Sequence, residues 1–300
     1  MTKPRTLPAL RDPHRRRFDD LITRNVLSDR LGITALPPGP ARTRMRILAW
    51  SLIVAVYALG WGLSTVRAFE MLLARGDYEL GPYTGVSFIL AVIPKLIVIV
   101  IALVAIFVYL PPAAAARPPW ITSVRTLPVY HAMPYLAVFV AGVLAALLGI
   151  ERYDYPAREY PSLAMLLLNA LSSALAGPSE ELALLALPVI ALRRVGYSWY
   201  TVCVVAALLR VPFHMYYGWT TIVFAGWAIA AVLLYRRTRA IGAIIVSHAL
   251  HNALVYLDKA VPGIGNLNYV IAWAALLVVL LFIVRQLRRA DARAQRQAME

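Results

Sequence analysis

The chain has 300 residues, of which 61% are hydrophobic and 15% are charged, and its mean hydropathy is +0.68. A soluble domain is about half apolar, so this composition excludes an ordinary soluble fold and predicts an integral membrane protein. The net charge of +15 does not indicate a nucleic-acid partner, because the basic residues flank long apolar runs instead of covering one face of a soluble domain.

Residues 1–44 are polar, basic and contain several prolines, without the early apolar segment of a signal peptide. We expect this segment to be a cytoplasmic leader ahead of the membrane domain. The arginines at 15–17 precede apolar residues at helical spacing between 18 and 31, which favours an amphipathic helix on an anionic membrane surface. A partly disordered tail explains the same composition, and both alternatives stay open.

Eight apolar runs follow the leader, each roughly long enough to cross about 30 Å of hydrocarbon. The runs lie at 45–64, 86–110, 131–150, 162–192, 198–217, 219–235, 240–257 and 268–285. Gly177-Pro178 in the middle of the fourth run predicts a kink or break there. The sequence therefore predicts an all-α polytopic membrane protein, with a transmembrane domain over 45–285 and a basic cytoplasmic tail over 286–300.

The basic residues between the runs are unevenly distributed. If the leader is cytoplasmic and the chain crosses eight times, 23 of the 30 Lys and Arg lie on the cytoplasmic side. Cytoplasmic loops of membrane proteins carry this excess. The pattern predicts a multi-pass plasma-membrane protein with both termini in the cytoplasm, and the arginine- and alanine-rich composition favours a bacterial source.

Several ionisable side chains lie inside the runs, where each costs about 2.5–3.5 kcal/mol at a helix centre unless it is paired or functional. Adjacent glutamates on a helix point about 100° apart, so we expect one to face a cavity and the other to pair with a neighbouring helix. Residues four apart share a helix face. These intramembrane groups are Lys95 in the second run, Glu180 and Glu181 in the fourth, Arg210 and His214 in the fifth, and His248, His251 and Asn252 in the seventh.

This set of groups supports hydrolysis. A carboxylate in a partly dry pocket can deprotonate a water for attack on a peptide carbonyl, while imidazole and amide groups orient the water and stabilise the oxyanion. Imidazole and carboxylate are also ordinary zinc ligands, so zinc stays an alternative, although the single cysteine, Cys203, excludes a cysteine-rich zinc module. His131 and His251 fit helix–helix hydrogen bonds better than catalysis, and Lys95 is expected to pair with a carboxylate or to line a cavity.

Three short motifs resemble those of the CAAX protease and bacteriocin-processing family of intramembrane endopeptidases. The segment Gly177–Glu181 resembles the start of the EExxxR motif, Arg210–His214 the FxxxH motif, and His248–Asn252 the HxxxN motif. The resemblance covers 160–257 and implies an eight-helix fold with its catalytic core in that segment. It also implies a glutamate-dependent endopeptidase without a catalytic metal, acting on a peptide or a membrane-protein segment.

The resemblance also implies roles for five residues. Glu180 corresponds to the glutamate that activates water and His214 to the histidine that positions it, while Glu181 corresponds to the supporting glutamate. His248 and Asn252 correspond to the pair that stabilises the oxyanion. Counted from the cytoplasmic ends of their runs, His214 and His248 differ in depth by roughly 12 Å, so a tilted or longer fifth helix is needed to bring them together.

Two positions depart from the family motifs. Leu185 stands where the first motif has arginine, and Arg210 stands where the second has phenylalanine. We hypothesise that Arg210 reaches across from the fifth helix to Glu181 and replaces the missing pair, because an unpaired buried carboxylate is costly.

Two other functions stay open. The first is a non-catalytic membrane scaffold or immunity protein of the same fold, which Leu185 favours. The second is a transporter or channel in which the buried charges relay protons or ions. A protease is distinguished from both by loss of cleavage in a folded Glu180→Gln variant, and a transporter by ion-dependent flux.

Overall fold

The computed structural model describes residues 29–74, 78–110, 118–153 and 158–258, together with 261, 263, 266–267, 269–278, 280–281, 284–285 and 288. Over these ranges the chain forms helices and no strands. Five of the helices are long and apolar enough to cross a membrane, and three shorter apolar helices accompany them. The all-α polytopic membrane fold is therefore confirmed, whereas the side on which each terminus lies remains a prediction.

The helices are named α1 to α8 in chain order. They are α1 Pro40–Leu73, α2 Gly85–Tyr109, α3 Trp120–Leu148, α4 Leu163–Arg194, α5 Trp199–Arg210, α6 Phe224–Thr238, α7 Ile241–Leu257 and α8 Tyr269–Val278. Two 3₁₀ segments, Pro212–Tyr217 and Trp219–Val223, join α5 to α6. Both α1 and α3 begin before the apolar runs predicted for them, because hydropathy marks only the part of a helix that contacts lipid.

The central helix of the molecule is α4. In its most apolar stretch 89% of the residues are buried, against 22%, 17% and 28% in α1, α2 and α3. The outer helices therefore present most of their apolar surface to lipid, while α4 is surrounded by protein. Polar groups on α4 can be held away from lipid on every side, which makes it the natural position for buried carboxylates.

Regular helical geometry is interrupted in the middle of α4. Pro178 has no N–H, so the carbonyl of Ala174 loses its usual helical partner, and the α-helix breaks at Leu175. The chain then widens into a π-turn over Glu181–Ala186. Such turns are frequent at functional sites, and the interruption lies where Gly177-Pro178 predicts it.

Gly177 allows α7 to cross very close to α4. A Cβ at this position would lie 2.7 Å from the amide nitrogen of Ala249 and 2.7 Å from the carbonyl oxygen of Ile245. Both are backbone atoms, which cannot rotate away as a side chain could. Only glycine therefore fits this crossing, which places His248 of α7 against the glutamate segment of α4.

Residues 29–39 form a non-helical segment, here called the strap, that crosses the ends of α4 and α6. Within the strap, Leu36 N–H donates to the carbonyl of Arg194 at 2.8 Å and Arg30 N–H donates to the carbonyl of Arg236 at 3.2 Å. These bonds satisfy carbonyls that the last turn of a helix leaves without partners. Most of the amphipathic helix considered for the leader lies outside the described residues.

Candidate active site

Glu181 is fully buried where α3, α4, α5 and α7 meet. Its Oε1 lies 2.8 Å from Nη2 of Arg210 and 2.6 Å from Nδ1 of His248, and it also accepts a hydrogen bond from the hydroxyl of Tyr130. An ionised carboxylate is the acceptor that suits three converging donors. The predicted reach of Arg210 from the fifth helix to Glu181 is therefore confirmed.

Arg210 is 2% exposed and is surrounded by favourable partners. Besides binding Glu181, it donates from Nη1 to the hydroxyl of Tyr130 at 3.0 Å and lies 4.4 Å from the ring centroid of Trp227. Cations over an indole face are stabilised by the ring quadrupole. Leu185, where the family motif has arginine, is 1% exposed in the core, so the required positive charge enters from α5.

Glu180 has a different environment from its neighbour. The side chain is largely buried, its Oε2 lies 3.9 Å from Nε2 of His248, and that oxygen has no hydrogen-bond partner among the described residues. The rotation between adjacent helical residues thus separates two carboxylates, of which Glu181 receives three donors on Oε1 and Glu180 receives none from the described residues, while Oε2 of each has no partner there. An available buried oxygen is what a group that takes a proton from water requires.

His248 lies between the two glutamates. Because an ionised carboxylate only accepts, the contact with Glu181 places a hydrogen on Nδ1 and leaves Nε2 directed at Glu180. The imidazole is also flanked by rings, with centroids 5.8 Å away for Trp227 and 6.3 Å away for Tyr130. The orientation of the imidazole is consequently fixed by one hydrogen bond and two aromatic neighbours.

His214 lies in the 3₁₀ segment that follows α5. Its Nδ1 is 2.8 Å from the carbonyl oxygen of Arg210, which only accepts, so Nδ1 carries the hydrogen and Nε2 keeps a lone pair. The imidazole is 6.1 Å from the ring of Trp227, which also contacts the imidazole of His248. The depth difference counted from the sequence does not keep the two histidines apart, because both contact the ring of Trp227.

Three polar residues lie to the side of this centre. Asn252 donates from Nδ2 to the carbonyl of Ser173 at 3.3 Å, which ties α7 to α4 one turn before Gly177. His251 packs against aromatic rings of α3 instead of facing the glutamates. Lys95 donates to the carbonyl and hydroxyl of Ser172, and it also has a favourable charge interaction with Glu180, a carboxylate as the sequence predicts.

Sequence reasoning missed Tyr130 and Trp227. Tyr130 precedes His131, and a single tyrosine in an apolar span gives little signal. Trp227 lies inside α6, however, while tryptophans of membrane proteins concentrate at the interfaces. That unusual position could have indicated a residue with a polar partner, and the structure shows three around it: Arg210, His214 and His248.

The donor set of the centre suits a metal ion poorly. Over the described part of the chain, no three His, Cys, Asp or Glu side chains converge closely enough to hold one. Arg210 already binds the carboxylate of Glu181 that would otherwise be the strongest ligand, and its positive charge repels a second cation.

An apolar groove of about 190 Å³ lies between α3 and α6 and ends on Trp227. Leu136 and Val140 line it and are also exposed on the lipid-facing surface of α3, and Gly226 lies beside Trp227 within the groove. Trp227 also contacts both imidazoles, so this one ring separates the groove from the polar centre.

A comparison with known families places the centre in context. The family model of type II CAAX prenyl endopeptidases, described as Rce1-like, matches residues 161–254. This segment runs from the start of α4 almost to the end of α7, and the family resemblance carried by the three motifs is confirmed. Among curated proteins and solved structures nothing matches the chain.

Proposed function

We propose that this membrane protein, whose residues 161–254 match the Rce1-like family of CAAX endopeptidases, hydrolyses peptide bonds within the membrane at the centre between α4, α5 and α7. One observation supports the proposal most strongly. Two adjacent buried glutamates have different environments: Oε1 of Glu181 receives three donors, whereas the carboxylate of Glu180 receives no hydrogen bond from the described residues, although one oxygen of each lacks a partner there. A purely structural pair would not need this difference.

The proposed reaction begins with a water held between Glu180 and His214. Glu180 takes a proton from the water, while Nε2 of His214 accepts the second hydrogen and orients the oxygen toward the scissile carbonyl carbon. The water oxygen bonds to that carbon and the carbonyl electrons move onto its oxygen. Glu180 then returns the proton to the amide nitrogen as the C–N bond breaks, giving a carboxylic acid and an amine.

The proposed oxyanion donors are His248 and Asn252. His248 donates to the oxyanion from Nε2 in its doubly protonated form, while Nδ1 stays bound to Glu181. The amide of Asn252 has two hydrogens, of which one binds the carbonyl of Ser173. Its second hydrogen is the one we assign to the oxyanion, so Asn252 can remain tied to α4 during the reaction.

The substrate we propose is a peptide or a segment of a membrane protein that approaches through the groove between α3 and α6. The groove is apolar and lateral, so an extended chain with apolar side chains can reach Trp227 without first crossing water. We further propose that the protein acts in the plasma membrane with both termini cytoplasmic, without a metal cofactor.

A non-catalytic scaffold and an ion transporter are the competing functions. A scaffold is favoured by Leu185, which stands where the family motif has arginine. Arg210 supplies that positive charge to Glu181 instead, which weakens the argument for a scaffold. The transporter reading rests on buried charges, yet most charges of the centre are bound to each other instead of forming a series of exchangeable sites.

The test compares wild type with Glu180→Gln, purified in detergent and incubated with a quenched peptide library. Glu151→Gln is the matched control, because Glu151 is an exposed glutamate in the loop before α4. Cleavage by wild type and the control but not by Glu180→Gln, at equal melting temperature and unchanged by chelator, supports the proposal. Cleavage that survives Glu180→Gln overturns the role of that residue, loss with chelator overturns the metal-free mechanism, and ion flux without cleavage supports a transporter.

A further inference from the structure

Trp199, the first residue of α5, carries two arginines on its indole ring. Arg193 at the end of α4 and Arg236 at the end of α6 place their guanidinium carbons 4.7 Å and 4.5 Å from the ring centroid. Each contact is a favourable cation–π interaction. The two charges repel each other, however, so the arrangement concentrates positive charge around one ring.

The nearby acid, Asp29, interacts favourably with Arg193, but a single acid leaves the two arginines with a net positive charge. Asp29 of the strap accepts from Nε1 of Trp199 at 3.1 Å with one oxygen and from the N–H of Leu31 at 3.1 Å with the other. Both oxygens are therefore engaged by neutral donors. Among the described residues neither Arg193 nor Arg236 has an ion-pair partner within 4 Å, and the buried Nε of each has no acceptor.

Unsatisfied guanidinium donors at a half-buried position indicate an anion that completes the site. The strap adds a third cation to this end of the molecule, because the backbone of Arg30 is bonded to the carbonyl of Arg236 and Arg30 follows Asp29 directly. A phosphodiester, with one negative charge and two free oxygens, suits this excess better than a neutral headgroup does.

An apolar stripe leads away from the same point. Tyr200, Val204 and Leu208 are spaced four residues apart, beginning directly after Trp199, and are 79%, 37% and 65% exposed, so they form one lipid-facing edge of α5. A free inorganic anion makes no use of such a stripe. A lipid uses both features, because its headgroup binds the arginines while an acyl chain lies along the exposed edge.

We propose that Arg193, Arg236 and Trp199 form a binding site for the headgroup of an anionic phospholipid such as phosphatidylglycerol. Basic pockets between the ends of membrane helices bind such headgroups. The lipid would connect the ends of α4 and α6, which flank the polar centre on either side of α5, and would stabilise their packing. This inference is independent of the proposed proteolysis.

The test uses the full-length protein in neutral detergent, titrated with phosphatidylglycerol or phosphatidylcholine and followed by native mass spectrometry and by melting temperature. A neutral micelle has little surface potential, so only arginines that touch the headgroup affect binding. The variant is Arg193→Gln with Arg236→Gln. The charge-matched control is Arg44→Gln with Arg285→Gln, two exposed arginines away from Trp199.

We expect wild type and the control to retain phosphatidylglycerol over phosphatidylcholine and to melt at a higher temperature when it is bound. The double variant should bind about 100-fold more weakly, from two charge-assisted hydrogen bonds of about 1.5 kcal/mol each. Equal binding by variant and control overturns the site. Displacement of the lipid by millimolar inorganic phosphate overturns the choice of ligand.

Arg193 also donates to the carbonyl of Tyr197 at 2.6 Å, so the double variant could lose stability. Arg236→Gln alone and Arg236→Lys then decide the question. Lysine keeps the charge but lacks the planar fork, so we expect Arg236→Lys to bind phosphatidylglycerol more tightly than Arg236→Gln and less tightly than wild type. Identical binding by all three proteins overturns the proposal.

Discussion

Replacing Arg210 with methionine should destabilise the protein severely. The substitution removes the 2.8 Å bond to Glu181, the 3.0 Å bond to Tyr130 and the stacking on Trp227, and it leaves a fully buried carboxylate without its counter-charge. Breaking one side of such a pair costs about 3–5 kcal/mol. That loss is a large fraction of the total stability of a folded protein.

A second substitution should recover much of this loss. Arg210→Met with Glu181→Gln removes both charges, and replacing a buried ion pair by uncharged groups of similar size is often close to neutral. We expect the double variant to be more stable than Arg210→Met by at least about 2 kcal/mol. Arg210→Leu with Leu185→Arg should also rescue folding, because Leu185 is buried one turn after Glu181.

The assay is equilibrium unfolding in mixed detergent micelles, applied to wild type, the two single variants and the double variant. The coupling free energy is the difference between the effect of the double change and the sum of the single changes. A coupling of 2 kcal/mol or more supports the interhelical pair. Additive effects within about 0.5 kcal/mol, or no rescue in either double variant, would refute the reasoning.

Three further predictions concern the crossing of α4 and α7, the groove between α3 and α6, and the orientation of the protein in the membrane. Gly177→Ala should lower the cleavage rate by about 100-fold, because the added Cβ would lie 2.7 Å from backbone atoms of α7 and shift the reacting groups by about 1 Å. The control is Gly226→Ala, which should retain activity because a Cβ at this helical glycine meets no atom within 4 Å. Gly226→Leu should raise KM about tenfold with kcat unchanged, because it fills the groove between α3 and α6 without altering the reacting groups; an unchanged KM would remove the groove from the substrate path. In a Cys203→Ala background, a cysteine at Arg239 should react with a membrane-impermeant maleimide only in inverted vesicles and one at Glu79 only in intact cells, and the opposite pattern would reverse the predicted topology.

The sequence predicted the pairing at the centre because lipid leaves few choices. A charge in the hydrocarbon needs a partner. The first motif has lost its arginine at Leu185, and the second has gained one at Arg210, so Arg210 was the available partner for Glu181. Adjacent glutamates point about 100° apart on their helix, and the structure shows Glu181 bound by Arg210 and His248 and Glu180 without a hydrogen bond from the described residues.

Other features depend on three-dimensional packing that spacing does not encode. The rotations of α3 and α6 about their own axes decide that Tyr130 and Trp227 reach the centre, and hydropathy is nearly uniform around such helices. Gly177 was interpreted as part of a break, whereas its larger effect is the close crossing of α7. The α-helix also ends at Arg210 and a 3₁₀ segment follows, so a depth counted along one straight fifth helix does not describe the position of His214.

The most direct test of the account is the single-turnover rate of peptide-bond cleavage by Glu180→Gln relative to wild type, with both proteins in the same lipid bilayer and matched in melting temperature. A glutamine keeps the size of the side chain but cannot take a proton from water. The account predicts a rate lowered by about 100-fold to 10,000-fold, the range that general-base catalysis contributes. A Glu180→Gln variant that folds normally and cleaves within a few-fold of wild type would contradict it.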